Sequence, residues 1–160
     1  MATNNGGEIY NYSSSPKIYN TIVWGGVTGV NYQAQNSIIQ GNSSTINGNI
    51  DATGLSETDI FTDPVNGDYS LKDGSPAINT GSNSLYTGDI NNDTDLAGNT
   101  RLFGSTIDIG AFEHQGIKTY WTGNINTDWH TAGNWTSGLP STTSNAVIDQ
   151  VINQPLVAAT

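Results

Sequence analysis

Short β-branched and aromatic segments punctuate this chain, and runs of Asn, Gly, Ser and Thr separate them: Ile9-Tyr10, Ile18-Tyr19, Ile22-Val23-Trp24 and Ile38-Ile39 are typical. Segments this brief, closed by turn formers, predict short strands rather than helices. Lys, Glu and Met, which furnish helices, are nearly absent, and Ile outnumbers Leu 16 to 7. The segments also repeat. Glu8-Ile9-Tyr10-Asn11 returns as Lys17-Ile18-Tyr19-Asn20, across Tyr12-Ser13-Ser14-Ser15-Pro16. Asn20-Thr21-Ile22-Val23-Trp24-Gly25-Gly26 then returns as Asn36-Ser37-Ile38-Ile39-Gln40-Gly41-Asn42. A strand–turn–strand–turn rhythm suits a solenoid, where Asn side chains at the corners cap the backbone. The step from Asn20 to Asn36 is sixteen residues, against roughly 20 or more per turn in common solenoids. Either that turn is tight or the two motifs occupy different corners. Ile22 and Ile38 are expected to point inward, with no helix of three or more turns between residues 8 and 80.

Composition narrows the picture. With 34% hydrophobic residues in 160, the chain is one domain or one and a fraction, with a thin core. Only 11% of residues are charged, and Trp24, Trp121, Trp129 and Trp135 argue for folding over disorder. The formal net charge is -10, and the bases are Lys17, Lys72, Arg101 and Lys118. Such a surface cannot neutralise a run of phosphates, which excludes nucleic acid as a partner, and it does not attract anionic membranes. No apolar run reaches the roughly 20 residues that a spanning helix needs, so no membrane insertion is expected. Met1 is followed by Ala-Thr-Asn-Asn rather than by a signal peptide, so the chain reads as an excised piece of a longer protein. Without Cys there is neither a disulfide framework nor a thiolate metal site.

Gly6-Gly7-Glu8-Ile9-Tyr10-Asn11, Ser15-Pro16 and Asn20-Thr21-Ile22-Val23-Trp24-Gly25 resemble the last coils of bacterial right-handed parallel β-helix proteins, the pectate-lyase-like superfamily. Four further motifs follow in order. They are Asp63-Pro64-Val65-Asn66-Gly67-Asp68-Tyr69-Ser70-Leu71, Gly74-Ser75-Pro76-Ala77-Ile78-Asn79-Thr80-Gly81, Asp95-Leu96-Ala97-Gly98-Asn99-Thr100-Arg101 and Ile107-Asp108-Ile109-Gly110-Ala111-Phe112-Glu113. Their order is similar to the end of β-helices in large surface proteins of the choice-of-anchor Q type. The resemblance implies an all-β fold in which residues 1–113 are the terminal coils and terminal segment of a right-handed parallel β-helix. It also implies an extracellular or cell-surface setting, with upstream coils of the same parent protein as neighbours. Residues 114–118 read as a linker. Beyond it, Tyr120-Trp121-Thr122-Gly123, Asp128-Trp129, Gly133-Asn134-Trp135, Gly138-Leu139-Pro140 and Ala146-Val147-Ile148 resemble a β-rich repeat of adhesin-like bacterial proteins. About 40 residues without Cys or metal bury little surface, so residues 119–160, including Val151-Ile152 and Leu156-Val157, are expected to be a truncated β-rich module.

Candidate chemistry is sparse. Asp89, Asn91, Asp93 and Asp95 stand at positions 1, 3, 5 and 7 of an acidic loop, the spacing of a calcium site. Thr94 replaces the Gly at position 6 and Thr100 the bidentate Glu at position 12, so the competing reading is a turn in which Asp95 caps Gly98-Asn99. Calcium is the one cofactor in question. Trp24, at a strand end beside Gly25-Gly26, is the candidate contact for a polysaccharide or cell-surface glycan. Trp121, Trp129 and Trp135 read as core residues on successive short strands. His114 and His130 read as surface residues without metal-ligand spacing. Alternation along a strand would put Asp108 and Glu113 on opposite faces, useless as a glycosidase pair, and Asp59 with Asp63 has no supporting motif. Polysaccharide lyases of the β-helix superfamily use calcium and an Arg or Lys base. Lys17 and Arg101 are the available bases, and Arg101 is expected to fork onto Asp95 or Asp108. The expected function is a non-catalytic structural and adhesive segment of a surface protein; the alternative is the tail of a polysaccharide lyase or glycosidase with its active site upstream.

Overall fold

The computed structural model describes residues 9–11, 13–29, 31–41, 45–141, 144–149 and 153–156. Residues 1–8, Tyr12, Asn42, Val151, Ile152 and Val157, named above, lie outside them. The class is all-β: among the described residues the regular structure is short strands, a few 3-10 turns and one α-helical turn. The chain divides into two compact units, Met1–His114 and Gln115–Thr160.

In the first unit, β1 (Ile9–Asn11), β2 (Lys17–Tyr19) and β3 (Ile22–Val23) are followed by β4 (Val27–Gly29), β5 (Gln33–Gln35), β6 (Ile38–Ile39) and β7 (Ile50–Asp51). Each strand pairs in parallel with one from the next pass of the chain: β1 with β4, β2 with β5, and β3 with β6, which in turn pairs with β7. The repeated motifs lie in direct register, Ile22 opposite Ile38 and Val23 opposite Ile39. The sixteen-residue step is therefore one return to the same ladder, not a move between corners.

Parallel strands covered on both faces read as continuous apolar pairs rather than as an alternation, and Ile22-Val23 and Ile38-Ile39 fit that rule. Val23 and Ile39 pack with Ile18, Ile9, Val27 and Ala34 of the other ladders. Ile22 and Ile38 face the opposite way, into a second cluster with Ile60, Phe61, Leu71, Ala77 and Ile109. Ile22 and Ile38 thus point into a core, as expected, Ile38 with no exposed surface; period-two alternation turns Val23 and Ile39 to the other cluster, and later parts of the chain fold over Ile22 and Ile38.

Asn residues turn the corners. Asn20 (φ 50°) and Asn36 (φ 45°) occupy the left-handed region that Asn tolerates better than most side chains. The Asn20 amide exchanges two bonds with Ser82, and Asn36 donates to the Thr80 carbonyl at 3.0 Å. Buried Asn49 accepts from the Ser37 N–H and donates to the carbonyls of Ala34 and Ile46. Gly29 sits so close to the Asn11 carbonyl that an added Cβ would overlap it.

The helical turn α1 (Glu57–Ile60) starts where the Asp59 carboxylate accepts from the N–H and hydroxyl of Ser56. An antiparallel hairpin follows, β8 (Phe61–Asp63) and β9 (Asp68–Leu71), turned by Asn66-Gly67 with Gly67 at φ 85°. Residues 72–114 contain turns and one 3-10 turn but no strand. In the second unit β10 (Ile117–Tyr120) pairs in parallel with β11 (Ser144–Val147), so a strand begins within the stretch read as a linker.

Candidate functional site

A groove of about 1100 Å3 runs along β3 in the first unit. Its floor is Asn20, Thr21, Ile22 and Trp24; its walls carry Phe61, Val65 and Tyr69 of the hairpin and Leu96, Gly110 and Phe112 of the later segment, with Glu57 at the side. Trp24, singled out from sequence, does line it. Phe61 and Tyr69, whose rings meet edge to face at 5.3 Å, and Phe112 were missed. The hairpin signal Asn66-Gly67 was there to place Tyr69 opposite residues 61–63. Nothing local marks Phe112.

The groove is poor in free polar side chains. Asn20 is spent on Ser82, and the Thr21 hydroxyl donates to the Tyr19 carbonyl at 2.7 Å. A sugar ring needs several directed hydroxyl partners beside an aromatic face, and the floor offers few. What the floor does offer is main chain. The carbonyls of Thr21 and Val23 accept from Ile38 of β6 and from Gln40, which follows it. In a trans peptide the following N–H points the opposite way. The amides of Ile22 and Trp24 therefore face away from β6, and neither has a partner among the described residues.

A second cluster is buried beyond the groove. Arg101 reaches Glu113 at 2.6 Å and donates from its other terminal nitrogen to the carbonyls of Asp108 and Gly110. Its carboxylate partner is thus Glu113, not Asp95 or Asp108 as expected. Glu113 also accepts from the N–H groups of Asp108 and Phe103, and Asp108 from those of Asn79 and His114. The opposite-face argument for Asp108 and Glu113 fails because residues 107–113 form no strand, so period two does not apply. Burial pushes the Glu113 carboxyl up to about 7; the Asp108 charge adds to that, while the two N–H bonds and Arg101 oppose it. Asp108 is raised as well, again by burial first. Arg101, Asp108 and Glu113 are all buried and bonded to the chain that encloses them, an arrangement that holds this segment together. His114 is part of it: its side chain is only 14% exposed and its Nε2 lies 2.7 Å from Asp73, so it is not the surface residue expected. His130 is exposed.

The acidic loop divides its oxygens among local donors. Asp89 accepts from the Asn91 N–H and the Asn92 amide, and Asp93 from the Tyr86 hydroxyl, which raises the pKa of that phenol. Buried Asp95 accepts from the N–H groups of Ala97, Asn99 and Glu113 and from the Asn99 amide. Among the described residues no three His, Asp or Glu side chains gather as a metal would require. The oxygens of Asp95 are already aimed at N–H donors, a poor fit to a cation; Asp89, Asn91 and Asp93 stay at the exposed or half-buried rim.

In the second unit, Trp121 and Trp135 are buried edge to face at 5.1 Å, and Trp129 meets Trp135 at 4.7 Å. They form a core, though not on successive strands: Trp121 follows β10, Trp129 lies in a turn, and Trp135 follows a 3-10 turn. Asn134 organises it. Wholly buried, it accepts from the N–H groups of Ile125 and Asn126 and donates to the Asn126 side chain and the Asp128 carbonyl. No family model, curated protein or solved structure matches this chain.

Proposed function

We propose that this chain is a non-catalytic structural and adhesive segment of a surface protein, built as the terminal coils and closing segment of a right-handed parallel β-helix, with a small second β module. The observation that carries the reading is the register of β3, β6 and β7, in which a sixteen-residue sequence repeat coincides with one step of a parallel ladder. Each ladder offers its next strand the template it received, the property that makes solenoids stiff and extendable. The described residues do not bring together the acid and base of a lyase or glycosidase. Glu113 and Asp108 are enclosed, Arg101 is bound to Glu113, and Lys17 is exposed on β2 with no acidic group of the described residues placed against it. The resemblance to choice-of-anchor Q proteins supports an extracellular or surface setting.

Duplicating residues 20–35 in place, ahead of Asn36, tests the reading. A solenoid accepts the extra sixteen residues as one more coil, so the variant folds, gains β signal in far-ultraviolet dichroism and melts no lower than the parent. An insertion that unfolds the protein, or that protrudes as a protease-sensitive loop, sinks it.

A further inference from the structure

We infer that the groove along β3 is a binding site for a quaternary ammonium ion of the choline type, a cation wrapped in methyl groups, which sits against aromatic rings and is balanced by Glu57. The inference goes beyond the structural and adhesive reading and does not depend on it, because it uses only groups that line one groove of the first unit.

Three observations converge. First, the walls are aromatic. Trp24, Phe61, Tyr69 and Phe112 all line the groove, and the Phe61 and Tyr69 rings stand at 85° to each other with centroids 5.3 Å apart. Rings set at right angles form two sides of a box, and the electron-rich faces of Trp, Tyr and Phe attract a cation within about 6 Å of the ring centre, Trp most strongly. Second, the charge on the walls is negative. Among the described residues lining the groove Glu57 alone is charged, and it stands one helical turn before Phe61, whose N–H donates to its carbonyl. The Glu57 side chain is half-buried, yet it has no hydrogen bond or ion pair among the described residues. None of Lys17, Lys72 and Arg101, the bases of this unit, lines the groove, and Arg101 is held on Glu113. A carboxylate left unpaired beside apolar walls, in a chain of net charge -10, is complemented by an incoming cation. Third, the remaining polar groups select among cations. A primary ammonium carries three N–H donors that need acceptors once it leaves water, and the Asn20 side chain is already engaged with Ser82 and the Thr21 hydroxyl with Tyr19. A metal ion would need more ligands than one carboxylate supplies. A trimethylammonium group has no donor to satisfy, and the unpartnered amides of Ile22 and Trp24 on the floor are donors for the oxygen at the other end of a choline-type ion.

The probe is choline chloride, titrated into the full chain and followed by NMR. Saturable shifts of the Trp24 indole and Tyr69 ring signals are expected, half complete at about 1 mM, the affinity of a few desolvated cation–π contacts. Ethanolamine, the primary amine of the same length, and dimethylbutanol, the uncharged carbon isostere of choline, should each bind at least about tenfold more weakly. Tighter binding of phosphocholine than of choline marks a headgroup as the source and the reverse marks the free ion; either outcome supports the site. In the protein, Glu57→Gln removes the charge and Tyr69→Leu removes a half-exposed ring while keeping an apolar wall; each should weaken choline binding several-fold with the dichroism spectrum intact. Absence of saturation at tens of millimolar choline, equal binding of dimethylbutanol, or unchanged affinity in both variants overturns the inference. Such a failure leaves the β-helix reading standing, since the duplication variant tests that separately.

Discussion

At the scale of single residues, the most consequential group is Glu113, a carboxylic acid enclosed beside one arginine and two further buried acids, Asp95 and Asp108. Burial of the Glu113 carboxyl, with the Asp108 charge beside it, outweighs Arg101 and the two N–H donors, so the protonated form is favoured more than in the unfolded chain. With Glu113 at about 7 in the folded protein against an ordinary 4.5, the folded form holds that proton over a range where the unfolded chain has shed it. The contribution to stability is fully present below 4.5 and is lost as pH rises through about 7. Asp108 shifts in the same sense. Thermal unfolding should thus show a midpoint several degrees higher at pH 5 than at pH 8, and Glu113→Gln should flatten that slope; a midpoint that climbs from pH 5 to pH 8 contradicts the assignment. Arg101→Met leaves Glu113 and two carbonyls without their donor and should cost about 3–5 kcal/mol in denaturant unfolding, the range for breaking a buried pair from one side. Asp95 is the residue on which calcium and turn readings part. Asp95→Ala strips three N–H groups of their acceptor and should cost about 2–3 kcal/mol whether chelator or millimolar calcium is present, whereas a calcium site would make that cost depend on the ion.

At the scale of elements, strands of two to four residues hold little by themselves, and the corners and both-face burial carry the ladders. Ile38, with no exposed surface, bridges β3 and β7 and touches the later segment's cluster. Ile38→Ala should cost about 2–5 kcal/mol, and Asn36→Ala about 1–2 kcal/mol through left-handed strain and the lost bond to Thr80; denaturant midpoints of the two variants check both. These elements were legible in the sequence because a ladder repeats. The spacing between the two Asn-Thr/Ser-Ile motifs became the register itself. The closing segment was not legible, because Arg101, Asp108 and Glu113 are placed by side-chain bonds to main chain in turns, and such turns have no period to read. Extrapolating a strand through Ile107-Asp108-Ile109 put Glu113 on the wrong side. The groove was half legible: Trp24 stands out locally, but Tyr69 and Phe112 join it only through the fold.

At the scale of the whole molecule, the chain carries two cores of different make. The first unit has ladders and two apolar clusters; the described residues of the second have a tryptophan trio tied to Asn134 and the paired four-residue strands β10 and β11. A unit as small as residues 115–160, with no Cys for a disulfide, buries a small fraction of its surface and is intrinsically the weaker of the two. The distribution of chromophores makes the consequence measurable. Trp121, Trp129 and Trp135 lie in the second unit and only Trp24 in the first, whereas most strand residues lie in the first. Tryptophan emission should therefore shift at a lower temperature than far-ultraviolet dichroism changes, since two transitions reported by different probes do not coincide. Asn134→Ala should pull the emission transition lower still and leave the dichroism transition of the first unit in place, because every bond of that side chain stays within residues 125–134. Coincident transitions in the parent, moving together in Asn134→Ala, would instead mean that the two units unfold as one.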